Sequence, residues 1–330
     1  MPETQLRVQN LKVYFEASRG LLEKKRFIKA VDDISFEISK GETLGLVGES
    51  GCGKTTTARS IVRLVRPTAG AIFFEDSDIS ALSGPELKKY RQQVQYIFQD
   101  PYESLNPRQT IFDTIATPMR IHHLAENRED LSQRVDELLH DVNLEPKLTR
   151  SKFPHQLSGG QRQRVNIARA LATKPELIIA DEPVSMLDVS LRAGILTLME
   201  SLGRSYGLTF LIITHDIAVA RQICNKVAVM YLGRIVEIGE AAGVIDSPIH
   251  PYTKLLVKAT PKMVLSGKDN QVSLDLKGDS LIGSALDLPS GCRFHPRCSY
   301  ALEKCRSTEP RLLERRIGEL AACDVVPAEK

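Results

Sequence analysis

The sequence predicts an α/β fold, and three observations support this class. Residues 177–181 and 209–214 are continuous apolar runs, the pattern of strands buried in a parallel sheet. A helical pattern over residues 191–206 separates these two runs. A third apolar run, residues 41–47, leads into a glycine-rich segment and a further helix. Strands that alternate with helices in this way are typical of the α/β class.

The composition is that of an ordinary globular protein and indicates no partner. Of the 330 residues, 42% are apolar and 26% are charged, and the formal charge is +3. That charge is too small for this length to suggest nucleic-acid binding. The N-terminus lacks an apolar signal core, and the longest apolar runs are much shorter than a membrane span. We therefore expect a cytosolic chain whose connection to a membrane is made by another polypeptide.

The N-terminal segment predicts a set of antiparallel strands. Apolar and polar residues alternate from Leu6 to Phe15, and the alternation resumes over residues 30–38. The polar, basic stretch 19–26 lies between them. A solvated loop is the simplest interpretation of this stretch, and a patch that faces phospholipid is the alternative.

A phosphate-binding loop follows the apolar run 41–47. Residues 48–55 match G-x-x-x-x-G-K-T in full, and a helix is predicted from Lys54 to Val65. The glycines let backbone amides surround phosphates, Lys54 reaches the terminal phosphates, and Thr55 is expected to ligate magnesium. The predicted nucleotide-binding residues of this segment are Gly48, Glu49, Ser50, Gly51, Cys52, Gly53, Lys54, Thr55 and Thr56.

A second phosphate-binding end is predicted after a helical insertion over about residues 99–160. The insertion ends in the sequence Ser-Gly-Gly-Gln, which opens an amphipathic stretch over residues 161–172. Small residues and a hydroxyl at a helix N-terminus favour a phosphate, because free amide groups point at it. The four residues are Ser158, Gly159, Gly160 and Gln161.

Two neighbouring carboxylates end the apolar run 177–181. Asp181 closes the run, where it can hold a magnesium shell through water, and Glu182 follows directly, placed to polarise an attacking water. Elsewhere an Asp-Glu pair is usually a solvated turn. The assignment therefore depends on the strand and on the other motifs.

Together these motifs resemble the ATP-binding cassette family, the ATPase subunits of ABC transporters, over roughly the first 245 residues. The resemblance implies a P-loop NTPase (ABC cassette) with an antiparallel β subdomain and a helical subdomain at about 99–160. It assigns residues 1–245 to the ATPase domain and residues 246–330 to a cysteine-rich C-terminal extension. One phosphate loop and one Ser-Gly-Gly-Gln imply one cassette per chain.

The same resemblance assigns further site residues. Gln99 matches the glutamine that reaches the metal and water and marks the contact region with the membrane subunit. His215 matches the switch histidine that contacts the γ-phosphate, so the implied catalytic residues are Glu182, His215 and Gln99. Thr55, Gln99 and Asp181 are implied for magnesium.

Dimer formation and adenine binding are also implied by the family. Its Ser-Gly-Gly-Gln end contacts ATP on the phosphate loop of a second cassette, so two ATP molecules lie between the two subunits. Asp188 fits the dimer-contact loop, although Met186 replaces the small residue more often found there. Phe15 is the predicted adenine-stacking residue, with Tyr14 and Phe27 as rivals; the alternative is that all three belong to the core.

Several stretches look like one branch of the family, the oligopeptide and dipeptide importers. They are residues 45–51, 100–107, 248–253 and 291–298. In that branch a cassette commonly pairs with a second, non-identical cassette, two membrane permease subunits and an external solute-binding protein. The resemblance therefore implies a peripheral subunit at the cytoplasmic face of the membrane, with ATP and Mg²⁺ as ligands and no nucleic acid.

Three alternatives to peptide import remain open at this point. Related cassettes serve other solutes, such as nickel or an oligosaccharide, and the ATPase does not touch the cargo. A soluble ABC ATPase acting on ribosomes or DNA usually carries two cassettes or a long coiled coil, and neither is visible. An iron-sulfur sensor that uses ATP only as a ligand predicts a damaged catalytic site, whereas the catalytic residues are present.

Four of the six cysteines are clustered at the C-terminus, with the spacing C-x5-C-x6-C-x17-C. Disulfides are disfavoured in a reducing cytosol, so a thiolate-bound metal or cluster is the better interpretation. The spacing does not name the metal. The family resemblance favours a four-iron four-sulfur cluster, with zinc second and free thiols third, and we expect it to tie the tail to itself, far from the nucleotide. The four residues are Cys292, Cys298, Cys305 and Cys323.

Overall fold

The computed structural model describes residues 3–17, 26–259 and 286–326. Within this part, the chain forms two compact units. The first consists of the described residues within Met1–Gln5, Ser39–Thr43 and Ala81–Ile213, and the second of those within Leu6–Ile38, Leu44–Ser80 and Thr214–Lys330. Most of the predicted loop 19–26 lies outside the described residues. So does the stretch 266–271, whose polar sequence predicts a linker. The predicted boundary between residues 245 and 246 stays a prediction.

Strands and helices alternate along the described chain. The strands are β1 Thr4–Ala17, β2 Arg26–Ser39, β3 Thr43–Val47, β4 Ala69–Phe74, β5 Ser77–Asp78, β6 Val94–Ile97, β7 Leu177–Asp181, β8 Thr209–Thr214, β9 Lys226–Tyr231, β10 Arg234–Glu240, β11 Leu313–Arg316 and β12 Glu319–Ala321. The helices are α1 Lys54–Ile61, α2 Gly84–Gln93, α3 Ile111–Ile121, α4 Arg128–Asp141, α5 Pro146–Thr149, α6 Gly159–Leu171, α7 Val189–Tyr206, α8 Ile217–Ile223, α9 Ala241–Asp246, α10 Pro251–Ala259 and α11 Lys304–Ser307. Short 3-10 helices cover Pro154–Gln156 and His295–Arg297.

The first unit contains a parallel part of a sheet in the order β8-β7-β6. Every residue of β7 and β8 is buried, which explains why both strands are mostly apolar in the sequence. The predicted strands 177–181 and 209–214 are confirmed. Asp181 ends β7 opposite Ile213, so its carboxylate lies at the carboxyl end of a buried parallel strand.

The second unit contains the predicted antiparallel sheet, in the order β2-β1-β4-β5. Leu6 pairs with Phe74 and Val8 with Ile72, and the alternating residues of β1 are buried. The alternation of apolar and polar residues in the sequence therefore corresponds to a sheet with one face in the core.

A further sheet segment of the second unit runs in the order β11-β12-β10-β9-β3. β3 pairs with β9 in parallel, and the phosphate loop follows β3. β12 belongs to the C-terminal tail and pairs antiparallel with β10, with Leu320 opposite Ile238. The tail thus forms part of the same sheet segment as the strand that leads into the phosphate loop.

Helix α1 is shorter than the sequence predicts. The predicted helix reaches Val65, but α1 ends at Ile61 and Arg63 has a left-handed backbone conformation, with φ of 59°. The amide of Leu64 donates to the carbonyl of Arg59 at 2.8 Å, which closes the helix end with a Schellman turn. Nothing in the apolar pattern marks this ending, because Val62 and Leu64 continue it.

No helix within the described ranges is both long enough and apolar enough to cross a membrane.

Candidate functional site

The phosphate loop of the second unit joins β3 to α1, and close backbone packing explains its glycines. A Cβ at Gly53 would lie 2.2 Å from the carbonyl oxygen of Ala30, and Gly53 itself has φ of 109°. A Cβ at Gly48 would lie 2.2 Å from the carbonyl oxygen of Met230. Neither position can take a side chain without moving backbone. The loop geometry therefore requires glycine at both motif positions.

Lys54 is the first residue of α1, and its side chain folds back over the phosphate loop. It is 5% exposed, and its Nζ donates to the carbonyl oxygens of Gly48 at 2.7 Å and Glu49 at 2.9 Å. Thr55 and Thr56 follow in the first turn, half-buried. A helix N-terminus and an ammonium group at one loop form an anion-binding arrangement.

The thiol of Cys52 is buried, at 3% exposure, and lies 3.7 Å from Lys54 Nζ. Burial raises the pKa of this thiol above its usual value. The thiol is therefore protonated at neutral pH.

Glu49 of the phosphate loop is held by the C-terminal tail. Arg297 donates two hydrogen bonds to the Glu49 carboxylate, at 2.9 and 3.0 Å, and Glu49 raises the pKa of this guanidinium. The Glu49 amide donates to Tyr252 Oη at 3.0 Å. The expectation that the tail lies far from the nucleotide loop is therefore wrong. Both partners lie in stretches that resemble the importer branch, but their spacing gives no sign of this contact.

The carboxylates at the end of β7 lie in the first unit. Asp181 is 2% exposed and accepts a hydrogen bond from Tyr96 Oη at 2.7 Å. Glu182 has φ of 47°, a left-handed conformation that is strained for a residue other than glycine. Gln99 Nε2 donates to Glu182 Oε2 at 3.0 Å, so the structure brings these two predicted residues together. Tyr96 was not predicted, because an isolated tyrosine on a strand carries no motif.

The Ser-Gly-Gly-Gln segment of the first unit begins helix α6. The amide of Gln161 donates to Ser158 Oγ at 3.3 Å, and Gln161 Oε1 accepts from the Ser158 amide at 3.1 Å. This reciprocal capping box starts the helix at Gly159. The predicted helix N-terminus is confirmed. Its contact with a phosphate stays a prediction.

Two other predicted residues lie on exposed turns. Asp188 is exposed at the N-cap of α7, with no side-chain capping bond, and His215 is exposed directly after β8. Met186 and Val189 are 57% and 79% exposed beside Asp188. These side chains leave apolar surface at the predicted dimer-contact loop, so the unusual Met186 does not fill a gap in the core of its own chain.

The predicted adenine-stacking residue Phe15 is 41% exposed, and its rival Phe27 is 47% exposed. The alternative that both belong to the core is wrong. Tyr14, the other rival, donates its hydroxyl to Asp32. Stacking of Phe15 on adenine stays a prediction.

The four clustered cysteines line one cavity of about 20 Å³ in the second unit, which His250 also lines. No disulfide joins them. Burial, with the three neighbouring thiols, raises the pKa of Cys292 to about 11. Among the residues described, however, no group of three or more His, Cys, Asp or Glu side chains is arranged to hold a metal ion. The structure therefore gathers the predicted ligands Cys292, Cys298, Cys305 and Cys323 around one space without forming a metal site.

Comparison with known proteins agrees with these features. Residues 31–185 match the ABC transporter family model, and residues 236–305 match the model of the oligopeptide/dipeptide transporter C-terminal region. The chain is 45% identical over 323 residues to the oligopeptide transport ATP-binding protein AppF of Bacillus subtilis, covering 97% of each chain. It is 44% identical to the putative oligopeptide transport ATP-binding protein YkfD of the same organism, covering 96% of this chain and 94% of that one.

Solved structures show the same fold. A dimeric post-hydrolysis state of the ATP-binding cassette MJ0796, bound to ADP and Pi, superposes with a TM-score of 0.64 at 30% identity, covering 72% of this chain and 98% of that one. The cassette cbiO1 from Clostridium perfringens gives a TM-score of 0.64 at 26% identity, covering 74% and 92%. With the phosphate loop, the capped Ser-Gly-Gly-Gln helix and the strand-end carboxylates, these matches show that the chain belongs to the ABC transporter family, as an ATP-hydrolysing subunit of its oligopeptide and dipeptide transporter branch.

Proposed function

We propose that this chain drives the import of oligopeptides or dipeptides by binding and hydrolysing ATP. The observation that supports the proposal is that two parts of the chain, the cassette and the C-terminal region, each match a transporter family model. The cassette resembles ABC ATPases, and residues 236–305 match the C-terminal region of peptide transporters. Relatives named as peptide transport ATP-binding proteins cover nearly the whole chain.

We assign the chemical steps to the residues of the motifs. Lys54 and the phosphate-loop amides bind the phosphates, and the oxygens of Thr55, Asp181 and Gln99 hold Mg²⁺ directly or through water. The donor chemistry fits, because Mg²⁺ prefers oxygen ligands. Glu182 polarises the attacking water. The hydrogen bond that its carboxylate accepts from Gln99 supports this role, because it orients the carboxylate. His215 contacts the γ-phosphate. When bound, Mg²⁺ neutralises charge that develops on the transferred phosphoryl group.

The working unit in this proposal is a pair of cassettes. The Ser158 end of α6 binds ATP held by a second, non-identical cassette, and the exposed Asp188 loop contacts that partner. The dimeric form of the solved cassette MJ0796 supports a pair. Two membrane permease subunits and an external binding protein complete the importer, with this subunit at the cytoplasmic face.

We propose a four-iron four-sulfur cluster at the four cysteines, in an extension over residues 246–330. The support is that all four sulfur side chains line one cavity and none is paired in a disulfide. A cluster keeps its thiolates apart around several metal atoms, whereas zinc draws four ligands onto one ion. Thiolate sulfur suits either metal, and the resemblance to the importer branch favours the cluster over zinc. When bound, the cluster ties the tail segments together.

A transport assay tests the function. The chain is reconstituted in vesicles with its permease subunits, partner cassette and binding protein, and ATP-dependent uptake of labelled di- and oligopeptides is compared with uptake of nickel and an oligosaccharide. We expect peptide uptake that disappears with Lys54→Ala. Uptake of nickel or sugar without peptide would contradict the cargo assignment while leaving the ATPase assignment intact.

Metal analysis tests the cluster. After purification without oxygen we expect a brown protein with about four irons and four sulfides per chain, and Cys305→Ser should lose the colour. Cys224→Ser is the matched control, because Cys224 is buried outside this cavity. Stoichiometric zinc without iron would replace the cluster, and absence of both would leave the cysteines without a ligand role.

A further inference from the structure

The Arg297–Glu49 pair joins the C-terminal tail to the phosphate loop with the geometry of a strong ion pair. The two bonds are parallel, at 2.9 and 3.0 Å, and the side chains are only 17% and 29% exposed. A bidentate, half-buried guanidinium-carboxylate pair is stronger than a single-bonded surface pair, because water screens it less and its fork is pre-organised.

The surroundings fix Arg297 in place. Its guanidinium lies 5.8 Å from the ring centroid of Tyr231 and 5.7 Å from that of Phe294. Phe294 is 2% exposed and packs on Tyr252, whose hydroxyl accepts from the Glu49 amide. The Glu49 carboxylate is thus held by Arg297 and its amide by Tyr252, and both of these residues pack against Phe294.

Glu49 presents an electrostatic problem in its position. It is a carboxylate within a loop whose amides and lysine serve to bind a highly negative triphosphate. A negative charge there repels the ligand, and the repulsion is larger in a partly buried site than in water. Arg297 supplies the opposite charge at contact distance, so the pair is neutral.

We propose that Arg297 is a positioning residue of the nucleotide site: it cancels the charge of Glu49 and fixes that side of the phosphate loop, so that the C-terminal tail contributes to ATP affinity. Arg297 lies between Cys292 and Cys298, so whatever orders this loop also presents the guanidinium. The inference does not depend on the cargo or on the presence of a cluster, since nucleotide binding is measured on the full-length chain alone.

The test is a charge-rescue experiment on the affinity for magnesium ATP, measured by fluorescence titration with a mant-labelled ATP and competition by ATP. Arg297→Ala leaves Glu49 uncompensated and should weaken binding about tenfold. Glu49→Gln in the Arg297→Ala background removes the stranded charge and should restore affinity to within about threefold of the unsubstituted chain. A merely structural role of Arg297 would give no such rescue.

Two further variants control for charge and folding. Arg297→Lys keeps the charge and should retain most of the affinity, whereas Arg297→Gln should not. If Arg297→Ala does not fold, the comparison of these two variants tests the proposal instead. Arg306→Ala is the matched control, since it removes an exposed tail ion pair with Glu303 and should change nothing. Higher salt should narrow the gap between Arg297→Ala and the unsubstituted chain. Unchanged affinity in both Arg297→Ala and Arg297→Gln, or a double variant no better than Arg297→Ala, would overturn the proposal.

Discussion

Gln99 donates a hydrogen bond from its side-chain amide to the carboxylate of Glu182, at 3.0 Å. Glu182 directly follows a fully buried strand, and the backbone of Glu182 itself is in a left-handed conformation. Backbone strain of this kind persists only where surrounding structure holds it, and it concentrates at functional sites. The hydrogen bond and the strained backbone therefore give a physical reason for assigning both residues to one catalytic site.

Replacement of Glu182 by Gln should abolish steady-state hydrolysis and preserve ATP binding. Glutamine keeps the shape of the side chain but cannot polarise water as a carboxylate does. We expect at least a hundredfold loss of turnover in the assembled transporter, about the lower range for removal of a general base. Glu200→Gln, at an exposed position of α7, is the matched control. Turnover close to that of the control would show that another group activates the water.

Replacement of Lys54 by Ala should act on binding instead. The ammonium group lies over the phosphate loop and is nearly buried, so its loss removes the positive charge nearest the loop carbonyls. Nucleotide titration of the full-length chain should show a loss of ATP affinity of more than tenfold, about the value of one charged hydrogen bond. An affinity equal to that of the unsubstituted chain would refute the role of Lys54.

Replacement of Ser158 by Arg should prevent ATP-driven dimer formation while each chain still binds ATP. The substitution puts bulk and charge at the exposed start of α6 and removes its capping hydroxyl, a loss of about 1 kcal/mol. Light scattering with the partner cassette, in the Glu182→Gln background, measures the dimer. Ser201→Arg, at an exposed position of α7, is the control. Equal dimer content in both variants would contradict a phosphate contact at this end.

His250 should make the protein less stable in acid. It is buried, its Nδ1 accepts from the Tyr252 amide at 3.0 Å, and burial lowers its pKa from 6.5 to about 3. Between those values the unfolded chain binds the extra proton, so stability present above pH 6.5 is lost as the pH falls toward 3. From pH 7 to pH 5 this residue alone removes about 2 kcal/mol.

Urea unfolding at pH 7 and pH 5 checks this expectation. His250→Asn keeps an acceptor for the Tyr252 amide but cannot titrate, so its unfolding free energy should change less between the two pH values. Glu237 acts in the opposite sense, because burial raises its pKa and its contribution is lost as the pH rises. An equal pH response in both proteins would exclude His250 as the source.

Local patterns were sufficient for much of the fold. The strands 177–181 and 209–214 were predicted to the residue, because a strand buried on both faces is mostly apolar along its length. The start of α6 was predicted because Ser-Gly-Gly-Gln opens an amphipathic stretch, and the structure adds the capping box that begins the helix. The end of α1 was not, because the turn at Arg63 follows apolar residues that continue the helical pattern.

The sequence by itself determined the family, the phosphate loop, the strand-end carboxylates and the identity of the four clustered cysteines, because each depends on residue types at fixed short spacing. The tertiary structure decided the contacts between distant segments. It placed Arg297 on Glu49, Tyr96 on Asp181 and Gln99 on Glu182, and it gathered the cysteines around one cavity without a metal geometry. Such contacts arise when the sheet brings segments far apart in the chain together, and no spacing within either segment records its partner.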